Sequence, residues 1–123
     1  MPAQKLGIKP LAWVGSSLAD LRAMPDDVQD EFGYALHQAQ IGGKHAKAKP
    51  LKGFGSAAVL EVVERYDGDT YRAVYTVRLV HAIYVRHCFK KKSGRGIQTP
   101  KPDMELIRRR MAAAKEKDDA IKN

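Results

Sequence analysis

Two β-rich runs meet at Asp67-Gly68-Asp69, and that junction limits the fold more than any other feature of the chain. Asp-Gly between alternating apolar and polar residues signals a hairpin, because the tight two-residue turn needs positive φ at both central positions. The first run starts near Ala57 and continues through Val59-Leu60-Glu61-Val62-Val63-Glu64. In the second, a side-chain period of two puts Tyr71, Ala73, Tyr75, Val77 and Leu79 on one face. Arg72, Val74, Thr76 and Arg78 take the other. After a weaker turn at His81-Ala82, Ile83 to Phe89 continues as a third strand. The reading is an antiparallel meander, joined by a short N-terminal strand at Leu11-Ala12-Trp13-Val14 that Gly15 ends.

The segments around the meander read as helices. Ser17 with Asp20 three residues on is a variant capping box, opening a short helix through Leu18, Leu21 and Arg22 that Pro25 interrupts. Pro25 suits the first turn of a second helix, whose positive end Asp26, Asp27, Asp30 and Glu31 complement. Val28, Phe32, Ala35, Leu36 and Ala39 recur at helical spacing, and Gly42-Gly43 supplies a left-handed stop. Thr99 before Pro100 caps a final helix with Met104, Ile107, Met111 and Ala114 as its apolar stripe. At 123 residues the chain reads as one domain, 1–123, with flexible segments expected at 1–9 and 116–123.

The net charge of +8 is unevenly placed. Residues 41–56 carry Lys44, Lys47, Lys49 and Lys52 and no acid; residues 86–101 carry Arg86, Lys90, Lys91, Lys92, Arg95 and Lys101 and no acid. Acid-free clusters of this kind attract polyanions and point to a nucleic-acid partner. No apolar run approaches the ~18 residues of a membrane span, so no membrane partner is expected. The lone Cys88 excludes an internal disulfide, and the compartment reads as cytoplasmic.

Enzyme classes fall away in turn. There is no nucleotide-binding glycine loop, no nucleophile elbow, and no paired ligand spacing among His37, His45, His81 and His87. No metal or cofactor is expected. Cys88 and His87 point to opposite sheet faces, a poor geometry for a thiolate pair. What remains is phosphodiester chemistry by cations and a few titrating groups: a base for the 2′-hydroxyl, charge at the phosphate, and an acid for the leaving 5′-oxygen. Arg72, Lys90, Lys91 and Lys92 can stabilise the phosphate, and the His87 imidazole is the nearest side chain suited to moving a proton. Glu61 and Tyr75 are candidate helpers, although Glu61 equally suits pairing with a neighbouring-strand arginine and Tyr75 suits the core. Arg72 in mid-strand requires either an exposed sheet face or an anionic partner.

The ordered series Lys49-Pro50-Leu51-Lys52-Gly53, Leu60-Glu61-Val62, Tyr71-Arg72-Ala73-Val74-Tyr75, His87-Cys88-Phe89-Lys90-Lys91-Lys92-Ser93 and Thr99-Pro100 resembles the phage-derived HigB-like branch of the RelE/ParE toxin superfamily. The resemblance spans about Lys9 to Lys115, with Val62 where this branch often carries arginine. It implies an α+β, RelE-like fold: two N-terminal helices packed on a curved, mainly antiparallel four-stranded sheet, plus a C-terminal helix. It implies the toxin of a type II toxin–antitoxin system, an endoribonuclease that cleaves messenger RNA on the ribosome and inhibits translation. The implied partners are a helix-turn-helix, HigA-like antitoxin in a hetero-oligomer, the ribosome and its message. By the same resemblance Arg72 is catalytic, and Lys52, Lys90, Lys91 and Lys92 contact RNA or the ribosome; Lys49 and Arg95, from the two acid-free clusters, are further candidate RNA or ribosome contacts. His87, Lys90, Glu61 and Tyr75 complete the candidate catalytic set. Two rivals stay open: a ParE-like gyrase poison and a non-catalytic nucleic-acid-binding module.

Overall fold

The computed structural model describes residues 8–54, 58–91 and 100–121. The elements run β1 (Leu11–Trp13), α1 (Ser17–Arg22), α2 (Asp26–Gln40), β2 (Lys49–Pro50), β3 (Val59–Tyr66), β4 (Asp69–Thr76), β5 (Ile83–Lys91) and α3 (Lys101–Ala120). Asp67 and Gly68, at φ 52° and 84°, form the tight turn their sequence signals. From it β3 and β4 pair without interruption, Tyr66 opposite Asp69 and Val59 opposite Thr76.

The sheet has five strands in the order β1-β5-β4-β3-β2 and is mixed, which corrects the four-stranded, mainly antiparallel expectation. β1 pairs in parallel with β5, Leu11 opposite Ile83, across the long connection that a parallel neighbour requires. The fifth strand, β2, lies inside the acid-free basic segment 41–56, with Lys49 opposite Glu61. It sits at the sheet's edge, where proline's missing N–H is tolerated.

Helices cover both faces. The α2 stripe Val28, Phe32, Ala35, Leu36 and Ala39 is buried against Val62, Ala73, Tyr75, Val85 and Cys88. Ser16, not Ser17, precedes α1 at the cap position, and its Oγ donates to the Asp20 carboxylate at 2.8 Å. Ser17 is buried instead, its hydroxyl donating to the Val85 carbonyl. On the other face α3 presses Ala114 against Tyr84 and Val14, and Ile107 against Leu51, Val59 and Val74. Pro100 holds the cap position of α3, while Thr99 lies outside the described residues.

Of the two segments expected to be loose, residues 1–7 and 122–123 lie outside the described residues, and the described parts make specific contacts. The Lys9 ammonium donates to the carbonyls of Val77 and Leu79, and Gln40 grips the Lys9 carbonyl. α3 persists through Ala120 because the buried Asp118 carboxylate accepts from the backbone N–H groups of Val80 and His81 and from the Tyr84 hydroxyl, at 2.9, 2.8 and 3.0 Å. Among the described residues no helix is long and apolar enough to cross a membrane.

Candidate functional site

A one-residue irregularity in β5 decides which side chains meet. Val74 pairs with His87 but Tyr75 pairs with Val85, leaving Arg86 as the extra residue of a β-bulge. Alternation from Ile83 and Val85 would send residue 87 into the α1/α2 core. The bulge shifts the parity, so Cys88 enters that core and His87 joins Arg72, Val74 and Phe89 on the face beneath α3. Arg86 turns the same way. It is fully buried, its Nε and Nη2 donating to the Ile107 carbonyl of α3 and its Nη1 to the Thr76 hydroxyl. Burial lowers its guanidinium to about 10, which leaves it charged at neutral pH.

Of the two settings a mid-strand arginine can have, an exposed sheet face or an anionic partner, Arg72 takes the second. Arg72 and Glu61 are each 5% exposed, and Arg72 Nη1 donates to Glu61 Oε2 at 2.9 Å. The mid-strand arginine is thus explained by an anionic partner rather than by solvent. His87 is also buried, its Nε2 2.7 Å from Asp103 Oδ1 and its ring stacked on Phe89 at 4.5 Å between centroids. Among the described residues its buried Nδ1 has no hydrogen-bond partner.

Strand alternation splits the lysine run. Lys91 lies opposite Thr70, on the Arg72 face, and is buried. Desolvation and then the Arg72 charge hold its ammonium below the usual lysine range, with Glu61 opposing. Lys90 pairs across from Tyr71 on the other face, exposed and 3.6 Å from the Asp69 carboxylate. It lines a cleft of about 400 Å³ together with Asp20, Tyr71, His87 and Phe89. Lys92 and Arg95 lie outside the described residues. Tyr75 belongs to the α1/α2 core, on the far side of the sheet from Arg72, because it is three residues along an alternating strand. Burial pushes its hydroxyl up to about 12, so it stays protonated near neutrality. Lys49 and Lys52 are exposed.

The structure therefore places Arg72, Glu61, His87 and Lys91 on one covered face, and alternation puts Lys90 and Tyr75 on the other. Asp103, an acid in the first turn of α3, is not among the candidates drawn from the sequence. Its contact with His87 is invisible in sequence because α3 could have docked on either face. Among the described residues no group of three or more His, Cys, Asp and Glu is placed to hold a metal ion.

The profile of the phage-derived Gp49-like proteins (DUF891) matches residues 19–112, from α1 to the middle of α3. No curated protein and no solved structure matches the chain. The matched span contains Glu61, Arg72, His87 and Asp103 and covers most of the sequence, and the chain belongs to the Gp49-like family, a toxin-like family of the RelE/HigB type.

Proposed function

We propose that the protein is the HigB-like toxin of a type II toxin–antitoxin pair and that it cuts messenger RNA engaged on the ribosome. The observation that carries this reading is the Arg86 bulge, which brings an imidazole onto the face already holding Arg72, Glu61 and Lys91. A small domain that needed only stability would fill that face with apolar side chains, since buried ion pairs seldom improve on them. The proposed reaction is attack of the 2′-hydroxyl on the adjacent phosphate, leaving a cyclic phosphate and a free 5′-hydroxyl. Arg72 and Lys91 stabilise the developing negative charge, and His87 moves a proton. In this reading the amino-terminal turns of α3 lift away before RNA reaches the cluster, and the ribosome holds the message for in-line attack. Such orientation is worth several kcal/mol. A helix-turn-helix antitoxin, assembling with the toxin as a hetero-oligomer, is the proposed partner.

The burial of Arg72 against Glu61 favours a second reading, in which the pair is structural and the toxin acts by binding alone, as a gyrase poison does. Primer extension on RNA from cells expressing the protein separates the two. Cuts within translated frames that disappear with His87→Gln support cleavage. Growth arrest with unchanged RNA 5′ ends, accompanied by DNA damage, overturns it in favour of the binding toxin.

A further inference from the structure

The three consecutive arginines of α3 meet three different fates. Arg110 turns inward, donating to the Arg86 carbonyl at 2.8 Å and to the Ser16 hydroxyl. It passes so close to Gly15, at φ 59°, that a Cβ there would lie 2.8 Å from the guanidinium. Arg109 is exposed. Arg108 is exposed yet held: its guanidinium carbon lies 5.3 Å from the centre of the Phe54 ring, and its Nη2 is 3.4 Å from the Gly53 carbonyl.

Phe54 is fixed from behind. The buried Arg86 guanidinium lies 5.1 Å from the same ring, and Leu51 is buried with its N–H on the Val59 carbonyl. Gly53, at φ 97°, leaves only 3.0 Å between a would-be Cβ and the Met104 methyl, so the loop and α3 are closely fitted. Lys52 precedes the Gly53 that Arg108 touches, and Lys49 stands on β2 just before it, so β2, the loop and α3 each contribute an exposed cation, Lys49, Lys52 and Arg108. Among the described residues none of these cations is in an ion pair. Glu105, one turn before Arg108, makes no ion pair with it either.

We infer that Arg108, seated on Phe54 beside Lys52 and Lys49, is a phosphate contact for a strand of RNA. The inference rests on the RNA reading above and names a residue of α3 as part of that contact. A guanidinium carries five N–H donors, and the single long bond to Gly53 leaves most of them to accept a phosphate's oxygens. Holding its plane against an aromatic ring removes part of the entropy that a free arginine loses on binding. Unlike a cation used only for packing, such a contact releases a counterion when RNA binds, and salt dependence detects it.

The test uses the full chain and a fluorescent single-stranded 2′-O-methyl oligoribonucleotide, which cannot be cut because it lacks the attacking hydroxyl. Affinity is measured between 50 and 200 mM salt for the unaltered protein, Arg108→Gln, and Arg65→Gln at the distant hairpin end. Arg108→Gln is expected to make the slope of log affinity against log salt shallower by about 0.7, so the variant's relative defect shrinks about 2.5-fold across that range. Arg65→Gln leaves the slope in place. An unchanged slope in Arg108→Gln with unaltered thermal unfolding overturns the contact, as does absence of binding by the unaltered protein. A reduced slope together with intact cellular transcripts keeps the contact and removes the nuclease.

Discussion

Arg72 and Glu61 face each other across β4 and β3 at 2.9 Å, and both are buried, so the residue most suggestive of RNA chemistry is also a structural ion pair. Removing either partner strands a buried charge, and Arg72→Ala or Glu61→Ala should each cost about 3–5 kcal/mol. Loss of toxicity in those variants would therefore say little. The paired change Arg72→Met with Glu61→Leu keeps volume and removes both charges, and urea unfolding should return stability within about 1 kcal/mol of the unaltered protein. Expressed in cells, this folded double variant should no longer arrest growth. Continued arrest would assign the pair to the interior alone.

Asp118 anchors the end of α3 to the β4–β5 connection. Substitution by Asn keeps the shape but turns an amide NH₂ toward backbone donors, with an expected loss of about 2–3 kcal/mol, the scale of hydrogen bonds to a charged acceptor. Desolvation works to raise the Asp118 carboxyl, but the N–H groups of His81 and Val80 and the Tyr84 hydroxyl together hold it below the ordinary 3.8. A carboxyl lowered in the folded state contributes stability that is present above the unfolded value and lost as pH falls through the folded one. Chemical denaturation from pH 6 down to pH 2 should show a loss of stability below about pH 4 that is shallower in Asp118→Asn.

Cys88 is 1% exposed, and burial, with the Asp20 charge adding to it and Arg110 opposing, pushes its thiol up to about 12. A disulfide reagent at pH 8 should leave the folded protein unmodified and titrate one thiol after unfolding. Cys88→Ala should keep toxicity. Rapid labelling of the native chain would contradict the packing of β5 against α1.

Local chemistry made much of this legible. The Asp67-Gly68 turn, the α2 stripe and the two faces of β4 follow from periods and φ requirements that a few residues express. Two features were not available to that reasoning. The Arg86 bulge has no glycine or proline to announce it, and without it His87 would belong to the wrong face. The docking of α3 depends on Ile107 and Ala114 finding a sheet surface that already contains charged residues, and an amphipathic stripe does not say which surface it will choose. The exposed-face alternative for Arg72 failed for that reason: Arg72 satisfies its charge with Glu61, one strand away, and the helix closes over both.

His87 and Asp103 offer the sharpest functional test, because the two roles open to the pair change toxicity in opposite directions. The 2.7 Å contact ties the first turn of α3 to β5, far from the Asp118 anchor at the other end of the helix. Asp103→Asn should weaken that tie, and hydrogen exchange should quicken at the amides of Met104 to Ile107 while those near Ala114 keep their protection. If α3 must lift for RNA to reach Arg72 and Lys91, the variant should arrest growth at lower expression than the unaltered protein. If Asp103 instead orients His87 for proton transfer, arrest should weaken even though the helix opens more readily. Growth curves at matched expression, read beside the exchange data, decide between a latch and a positioning carboxylate. Unchanged exchange and unchanged growth together would remove both roles.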